Sequence, residues 1–216
     1  KMWYSREESF LAGTKRHPAI LKYSLGCDQE GILHALDCRI VMDTGAYASL
    51  GCEVLALAME HAGGPYRISH TTIEGIAVYT NNPVAGAFRG FGAPQAHAAI
   101  EQVIDELAGI AGFDPLEFRL KNAVSRGDTT PSGVTLTQST GILACLETAR
   151  DSAAWRERER WESLAPPFKK RGTGIAAINH GIGYGPVIPD NANAKIELTG
   201  EGRLIIYAGV SDMGQG

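Results

Sequence analysis

The chain lacks the cysteine and histidine spacings that are typical of small metal-binding or redox domains. Its four cysteines show no C-x-x-C spacing, and its six histidines form neither H-x-x-x-H nor H-E-x-x-H. We therefore expect no metal site built from side chains. An even number of cysteines permits disulfides, but the scatter of Cys27, Cys38, Cys52 and Cys145 over 216 residues favours reduced, buried thiols in a cytoplasmic protein.

Long apolar runs and an excess of basic residues are missing as well. No run approaches the ~20 apolar residues of a transmembrane helix, and the sequence shows no signal peptide. The net charge of −4 and the isoelectric point of about 5.9 argue against binding to nucleic acid or to an anionic membrane. The chain begins on Lys1 in strand-like sequence without an initiator methionine, so we expect a fragment or an excised domain.

Besides a short strand candidate at 2–4, three β-strands are predicted in the first 80 residues. Residues 21–27 and 32–43 flank the turn sequence D-Q-E-G, which is typical of an antiparallel hairpin. Apolar residues occur on both faces of the second strand, so we expect both faces to be partly covered. Residues 72–79 form the third strand, which leads into the segment 80–95.

The strongest helical pattern lies at 94–111, where an apolar stripe repeats at helical spacing. The stripe consists of Ile100, Val103, Ile104, Leu107 and Ile110. Further helices are predicted at 53–60, after the cap and proline at 114–115, at 141–151 and at 153–164. The alternating charges of the last of these indicate a solvated face.

The C-terminal part is predicted to be β-rich, with a strand at 174–180 and a hairpin formed by 193–198 and 203–207. A linker containing P-P and K-K-R precedes it, at 166–171. We predict an α+β fold with mixed sheets and packed helices. The linker divides the chain into domains 1–165 and 166–216.

The sequence F-R-G-F-G at 88–92, which we call the central loop, is the strongest candidate for a binding site. Glycine permits a positive φ or a close backbone approach, and an arginine offers a rigid fork of donors. A helix follows, and helix N-termini attract anions. With few neighbours to cover it, the Phe91 ring is expected to face a cavity. The alternative is a glycine turn in which Arg89 pairs with a carboxylate and both phenylalanines join the core.

Two glycine-rich segments near the C-terminus are further candidates. Tyr184 lies within 181–189, where it either lines a pocket or belongs to a plain loop. Met213, Gly214 and Gln215 directly follow a strand, and the flanking glycines would let the Gln215 amide and the backbone bind a polar ligand. The alternative for this second segment is a turn that ends the strand.

Taken together, these segments resemble the molybdenum-binding large subunit of the xanthine dehydrogenase and aldehyde oxidase family. The motifs are S-R-E-E-S-F-L-A-G-T-K-R-H-P at 5–18, A-F-R-G-F-G-A-P-Q at 87–95, D-P-L-E-F-R-L-K-N at 114–122 and D-M-G-Q-G at 212–216. They span essentially the whole chain in order. The resemblance implies that 1–165 is part of a first molybdopterin-binding domain and that 166–216 begins a second, truncated one.

The resemblance implies an enzyme that hydroxylates a carbon next to nitrogen or oxygen, with water as the oxygen source and a glutamate as base. It implies a molybdenum pyranopterin cofactor, as molybdopterin or its cytosine dinucleotide. It also implies 2Fe-2S clusters and FAD on partner domains or subunits, next to the rest of the molybdenum subunit. The substrate would be a small N-heterocycle or aldehyde, and neither nucleic acid nor a membrane would be a partner.

Individual residues match positions of known role in that family. Arg89, Met213, Gly214 and Gln215 match positions that contact the cofactor. Phe91 matches the ring that stacks on the flat substrate, and Tyr184 matches an aromatic residue that meets the substrate edge-on. These ring contacts would bind and orient a planar heterocycle.

Other positions depart from the family. Leu57 stands where xanthine-oxidising members place an arginine, and Gly185 stands where a threonine is common, so xanthine itself is in doubt. The first molybdenum loop and the base glutamate have no counterpart here, since Glu201 lies in a hairpin turn. We therefore expect no catalytic residue in this fragment, no bound cofactor and no activity of the fragment alone. The alternatives are a non-catalytic interaction module on the same scaffold, or a member similar to aldehyde oxidase or nicotinate dehydrogenase.

Overall fold

The chain divides into two compact units, 1–179 and 180–216, in a computed structural model that describes residues 3–181, 183 and 191–209. The first unit contains the strands β1 (Ala19–Cys27), β2 (Leu33–Gly45) and β3 (His70–Tyr79) and the helices α1 (Arg6–Ala12), α2 (Gly51–Glu60), α3 (Ala93–Ala111), α4 (Pro115–Asn122), α5 (Ile142–Asp151), α6 (Ala153–Arg156) and α7 (Arg158–Ser163). The second unit contains the hairpin of β4 (Ala194–Leu198) and β5 (Leu204–Ala208). The predicted α+β class is confirmed, whereas the boundary at 165/166 stays a prediction.

The sheet of the first unit has the strand order β1-β2-β3 and is mixed. β1 and β2 form the predicted antiparallel hairpin, with Ala19 opposite Met42 and a register shift at Gly26/Cys27. β2 and β3 are parallel, from Ala35 opposite His70 onward. Parallel neighbours require a crossover connection, and α2 lies in it.

One face of β2 is buried and the middle of the other faces solvent, so the prediction that both faces are partly covered was wrong for residues 35–39. Leu36, Cys38, Ile40 and Met42 are buried, whereas Ala35, Asp37 and Arg39 on the opposite face are exposed and Val41 is half-buried. The physical reason is that α2 and α3 both pack on the same side of the sheet. Their buried residues complete the core, namely Val54, Leu55, Ala58, Ile100, Ile104 and Ala108.

All four cysteines are free, but only Cys38 is buried. Cys27 is half-buried, and Cys52 and Cys145 are exposed on α2 and α5. The prediction of buried thiols was therefore wrong for these two. Each of the two helices buries only one side, and these thiols lie on the other.

The long helix α3 connects the central loop to the core. It begins after Gly92 and ends at Gly112, whose φ of 77° is left-handed. Ile100 and Ile104 are fully buried, but Ile110 is 84% exposed, so the predicted apolar stripe was one turn too long. The next helix begins as predicted, because the Asp114 carboxylate accepts hydrogen bonds from the first backbone N–H groups of α4.

A buried ionic network fastens α3 to three other parts of the unit. Arg119 on α4 is 0% exposed, and its guanidinium lies 2.9 Å from Glu101 Oε2 and 2.7 Å from Asp105 Oδ1. The Tyr66 hydroxyl donates to Glu101 Oε1 at 2.5 Å, and the Ala177 N–H donates to Glu101 Oε2 at 2.9 Å. The charges are thus paired inside the protein, as buried charges must be.

Two predictions for the C-terminal half were wrong. Residues 174–180 form no strand, because side chains of α3 bind this segment where a neighbouring strand would. Ala177 N–H donates to Glu101, and Asn179 N–H donates to His97 Nε2 at 3.4 Å, while the Asn179 Oδ1 atom lies 3.0 Å from the same ring nitrogen. The predicted helix at 153–164 is two short helices that break at Glu157. The predicted hairpin of β4 and β5 is confirmed.

Candidate functional site

The central loop has a rare backbone conformation. Three consecutive residues have positive φ, with 92° at Gly90, 48° at Phe91 and 100° at Gly92. The left-handed conformation of Phe91 costs free energy, because the side chain then crowds its own backbone. Two turns hold the conformation, since Phe91 N–H donates to Phe88 O at 2.8 Å and Ala93 N–H donates to Gly90 O at 3.0 Å. Such strained loops cluster at binding and catalytic sites.

Helix α2 touches the central loop at Gly92. A Cβ atom built on Gly92 would lie 3.0 Å from Ala58 N and 3.1 Å from Ala58 Cβ, and closer still to Val54 O. Only glycine permits this approach of the loop to the helix backbone. Leu57 is half-buried and precedes Ala58 on the same helix. The helix that carries this predicted substrate residue therefore lies directly beside the loop.

The side chains of the central loop are available to a ligand. Arg89 is exposed, and its guanidinium makes no ion pair or hydrogen bond within the part of the chain that the structure describes. The carboxylate partner that the structural alternative requires is thus missing from that part. Phe88 is 50% exposed. Phe91 is half-buried and packs against the edge of the core, so its ring is held but not enclosed.

Arg16 contacts the central loop, and sequence reasoning missed it. Its NH2 atom donates to Arg89 O at 2.8 Å, and its NH1 atom lies 3.4 Å from Gln95 Oε1. Its guanidinium also lies 4.7 Å from the centre of the Phe88 ring. Gln95 Nε2 in turn donates to His17 O at 3.3 Å. The only signal was the motif at 5–18, which pointed to the family but gave Arg16 no role.

Asp43 fastens the segment that enters the loop. Its carboxylate accepts hydrogen bonds from the Thr80 hydroxyl at 2.7 Å, from Asn82 Nδ2 at 2.5 Å and from Gly45 N–H at 2.7 Å. These hydrogen bonds hold the pKa of the Asp43 carboxyl below its ordinary value. The bond from Thr80 has the largest effect, followed by the bond from Asn82. The end of β2 is thereby tied to residues 80–82, shortly before the loop.

Two buried histidines lie at the edges of this region. His17 is 2% exposed, and neither of its ring nitrogens has a hydrogen-bond partner among the described residues. His97 is 5% exposed and packs edge-on against His61, with 5.6 Å between the ring centres. Burial lowers the pKa of both His17 and His97 below the ordinary value of 6.5. Both are therefore neutral near pH 7.

The other predicted site residues cannot be placed beside the loop. Tyr184, Met213, Gly214 and Gln215 lie outside the described residues. Asn179, five residues before Tyr184, is bound to His97 on α3. Among residues 3–181, 183 and 191–209, no group of three or more His, Cys, Asp or Glu side chains is arranged to hold a metal ion. Within the same ranges, no helix combines the length and apolar composition needed to cross a membrane.

Comparison of the sequence with profiles of known families shows to which family the chain belongs. A profile described as molybdopterin cofactor-binding domain matches residues 1–123, more than half of the chain, and a second profile of the same description matches residues 148–216. The chain belongs to the molybdopterin cofactor-binding domain family. The resemblance seen in the motifs at 5–18, 87–95, 114–122 and 212–216 is thus confirmed.

Similar proteins are molybdenum-binding subunits and enzymes. The chain is 41% identical, over all its 216 residues, to a probable xanthine dehydrogenase subunit of Bacillus subtilis and spans 28% of that protein. It is 42% identical over 153 residues, 71% of its length, to the nicotinate dehydrogenase large molybdopterin subunit of Eubacterium barkeri, and spans 36% of it. The aldehyde oxidoreductase structure from Desulfovibrio desulfuricans aligns with a TM-score of 0.77 at 28% identity, over 89% of this chain and 21% of that one.

Proposed function

We propose that this chain is part of the molybdenum subunit of a hydroxylase, with the central loop lining its active site. The proposal rests on the loop itself. It has three consecutive left-handed residues and an exposed Arg89 that has no partner among the described residues, next to the N-terminus of α3. A structural turn needs no unpaired guanidinium. A site for an anionic cofactor does, because arginine forms strong bonds with phosphate and other oxyanions.

The residues present fit a molybdenum pyranopterin. Arg89 supplies an exposed guanidinium that has no partner among the described residues, and it lies on a loop whose backbone is left-handed from Gly90 to Gly92. We assign Arg89, Met213, Gly214 and Gln215 to holding this group, with the polar ends of the pterin as their target. When bound, the group supplies two-electron oxidation chemistry, with water as the source of the added oxygen. The base glutamate and the electron-accepting 2Fe-2S and FAD groups would belong to other parts of the enzyme.

We further propose the substrate contacts that the family resemblance implies. Phe91, held at the core edge, would stack on a flat substrate, and Tyr184 would meet its edge. Leu57 lies on the helix beside the loop and offers neither a donor nor a charge. Oxidation of a purine places negative charge on the ring, and losing one preorganised donor costs about 10²–10³ in rate at other oxyanion sites. We therefore propose a less polar N-heterocycle or an aromatic aldehyde as substrate. The free thiols favour a reducing, cytoplasmic location.

The test uses the full-length protein purified with its natural partners. Metal analysis and pterin fluorescence should find molybdenum and pterin near one per subunit, and kcat/KM should be compared for xanthine, hypoxanthine, nicotinate and benzaldehyde. We expect nicotinate or benzaldehyde to exceed xanthine. A protein without molybdenum and pterin would instead be the non-catalytic interaction module. Xanthine as the best substrate by about tenfold or more would refute the role given to Leu57, since the loss of a charged donor predicts the opposite order.

A further inference from the structure

We infer that Arg16 is a positioning residue that fixes the orientation of the Arg89–Gly90 peptide in the central loop, an inference that rests on the proposed function of this loop. The segment around Arg16 runs beside the loop. Gly86 N–H donates to Lys15 O at 3.0 Å, and Lys15 and Ala85 form a parallel bridge. The Arg16 side chain continues this contact four residues further along, at Arg89 O.

The geometry of a peptide unit gives the Arg16 contact its consequence. A trans peptide is planar, and its C=O and N–H point in opposite directions. Because Arg16 NH2 holds Arg89 O at 2.8 Å, the N–H of Gly90 points away from Arg16. Within the described residues this N–H makes no hydrogen bond. Arg16 therefore presents a free backbone donor on the side of the loop opposite to itself.

Glycine at position 90 makes this restraint necessary. Gly90 has a φ of 92°, and a glycine peptide can turn over far more readily than one that carries a side chain. Loss of the Arg16 bond would let the Arg89–Gly90 peptide turn, which would replace the free N–H by a carbonyl oxygen. The site would then lose a donor and gain a repulsive acceptor. The contacts of Arg16 with Gln95 and Phe88 hold its own guanidinium in place.

Arg16 and Arg89 therefore have different roles. Arg16 is half-buried and uses its donors on the protein, whereas Arg89 is exposed and keeps its donors for a ligand. The two roles predict different variants. Changes at Arg89 would remove a ligand contact and leave the loop intact. Changes at Arg16 would leave every ligand contact in the sequence but loosen the backbone that carries them.

The test compares Arg16→Met, Arg16→Lys and Arg39→Met with the wild type in full-length protein. Arg39 pairs with Glu74 on the exposed face of the sheet and serves as the matched control. Hydrogen exchange is measured by mass spectrometry at the Phe91 and Ala93 amides, which close the loop turns. Loss of a charge-assisted bond predicts exchange about 10- to 100-fold faster in Arg16→Met. Arg16→Lys keeps the positive charge and can still donate to the Arg89 carbonyl, so it should retain most of the protection, and Arg39→Met should match the wild type.

A second measurement tests whether the conformation of the central loop affects turnover. Turnover per bound molybdenum atom should fall in Arg16→Met by up to about 100-fold, as it does when reacting groups are misplaced by about 1 Å, while KM changes little. Unchanged exchange in Arg16→Met would overturn the inference. Faster exchange with unchanged turnover would overturn it as well. A wild-type protein without molybdenum would refute the proposed function instead, and the exchange comparison would then decide by itself whether Arg16 fixes the loop.

Discussion

Replacing Gly92 by alanine should separate the central loop from helix α2. The new methyl group would lie 3.0 Å from Ala58 N and 3.1 Å from Ala58 Cβ, where ordinary contact begins at 3.4 Å, and it would press harder still on Val54 O. The backbone at Gly92, with φ 100° and ψ −32°, is also one that a residue with a side chain adopts only at a cost. That cost is about 1–3 kcal/mol, and overpacking adds about 1–3 kcal/mol.

The assay is thermal unfolding and molybdenum content of the full-length protein. A loss of about 2–6 kcal/mol corresponds to a decrease of at least 4 °C in the melting temperature of a domain of about 200 residues, and molybdenum content should fall with it. Gly109→Ala is the control, because Gly109 lies on α3 with no atom near the new methyl group. Alanine favours a helix over glycine by about 0.5–1 kcal/mol, so this variant should melt at the same or a higher temperature. Equal melting temperatures and molybdenum contents for both variants would refute the close contact of loop and helix.

Two further predictions concern buried ionisable groups. Arg119→Met should lower the free energy of unfolding by about 3–5 kcal/mol, because it leaves the Glu101 carboxylate buried without its cation. Arg39→Met, which breaks an exposed pair, should lower it by only about 0–1 kcal/mol. Equal midpoints of urea unfolding for the two variants would contradict this. The melting temperature should also fall as the pH is lowered from 7.5 to 5. The pKa of His17 and of His97 is lowered by burial, so the unfolded chain takes up protons first, near pH 6.5, and the contribution of the neutral histidines is lost below it. His97→Gln should reduce this pH dependence, and a flat profile for the wild type would show that neither ring is buried as a neutral group.

Local patterns predicted most of the secondary structure. The helices at 53–60 and 94–111 and the two hairpins follow from spacing, caps and turn residues, which act within a few positions. The predicted strand at 174–180 was wrong because the backbone N–H groups of Ala177 and Asn179 bind Glu101 and His97, far away in sequence. The parallel pairing of β2 with β3 was not predicted either, because no local signal encodes which strands meet after a crossover.

The candidate site also combines local features, which the sequence predicts, with contacts between distant residues, which it does not. Glycines around an arginine and a following helix were enough to single out the central loop, because each has a local physical meaning. Arg16 was missed, because its bond to Arg89 O joins positions 73 residues apart. The closeness of α2 to Gly92 was equally hidden, since it depends on how two helices pack.

The buried Glu101 network also sets an order of events during protein synthesis. Glu101 meets Tyr66, made 35 residues earlier, and Arg119, made 18 residues later, but its bond from Ala177 must wait for 76 residues. At about 5–20 residues per second, the ribosome needs roughly 4–15 s for that distance. During this interval α3 and α4 can already pair their charges, while one edge of the carboxylate stays open to water. The first unit therefore closes its core last at Ala177, after the central loop and both of its supporting helices have been made.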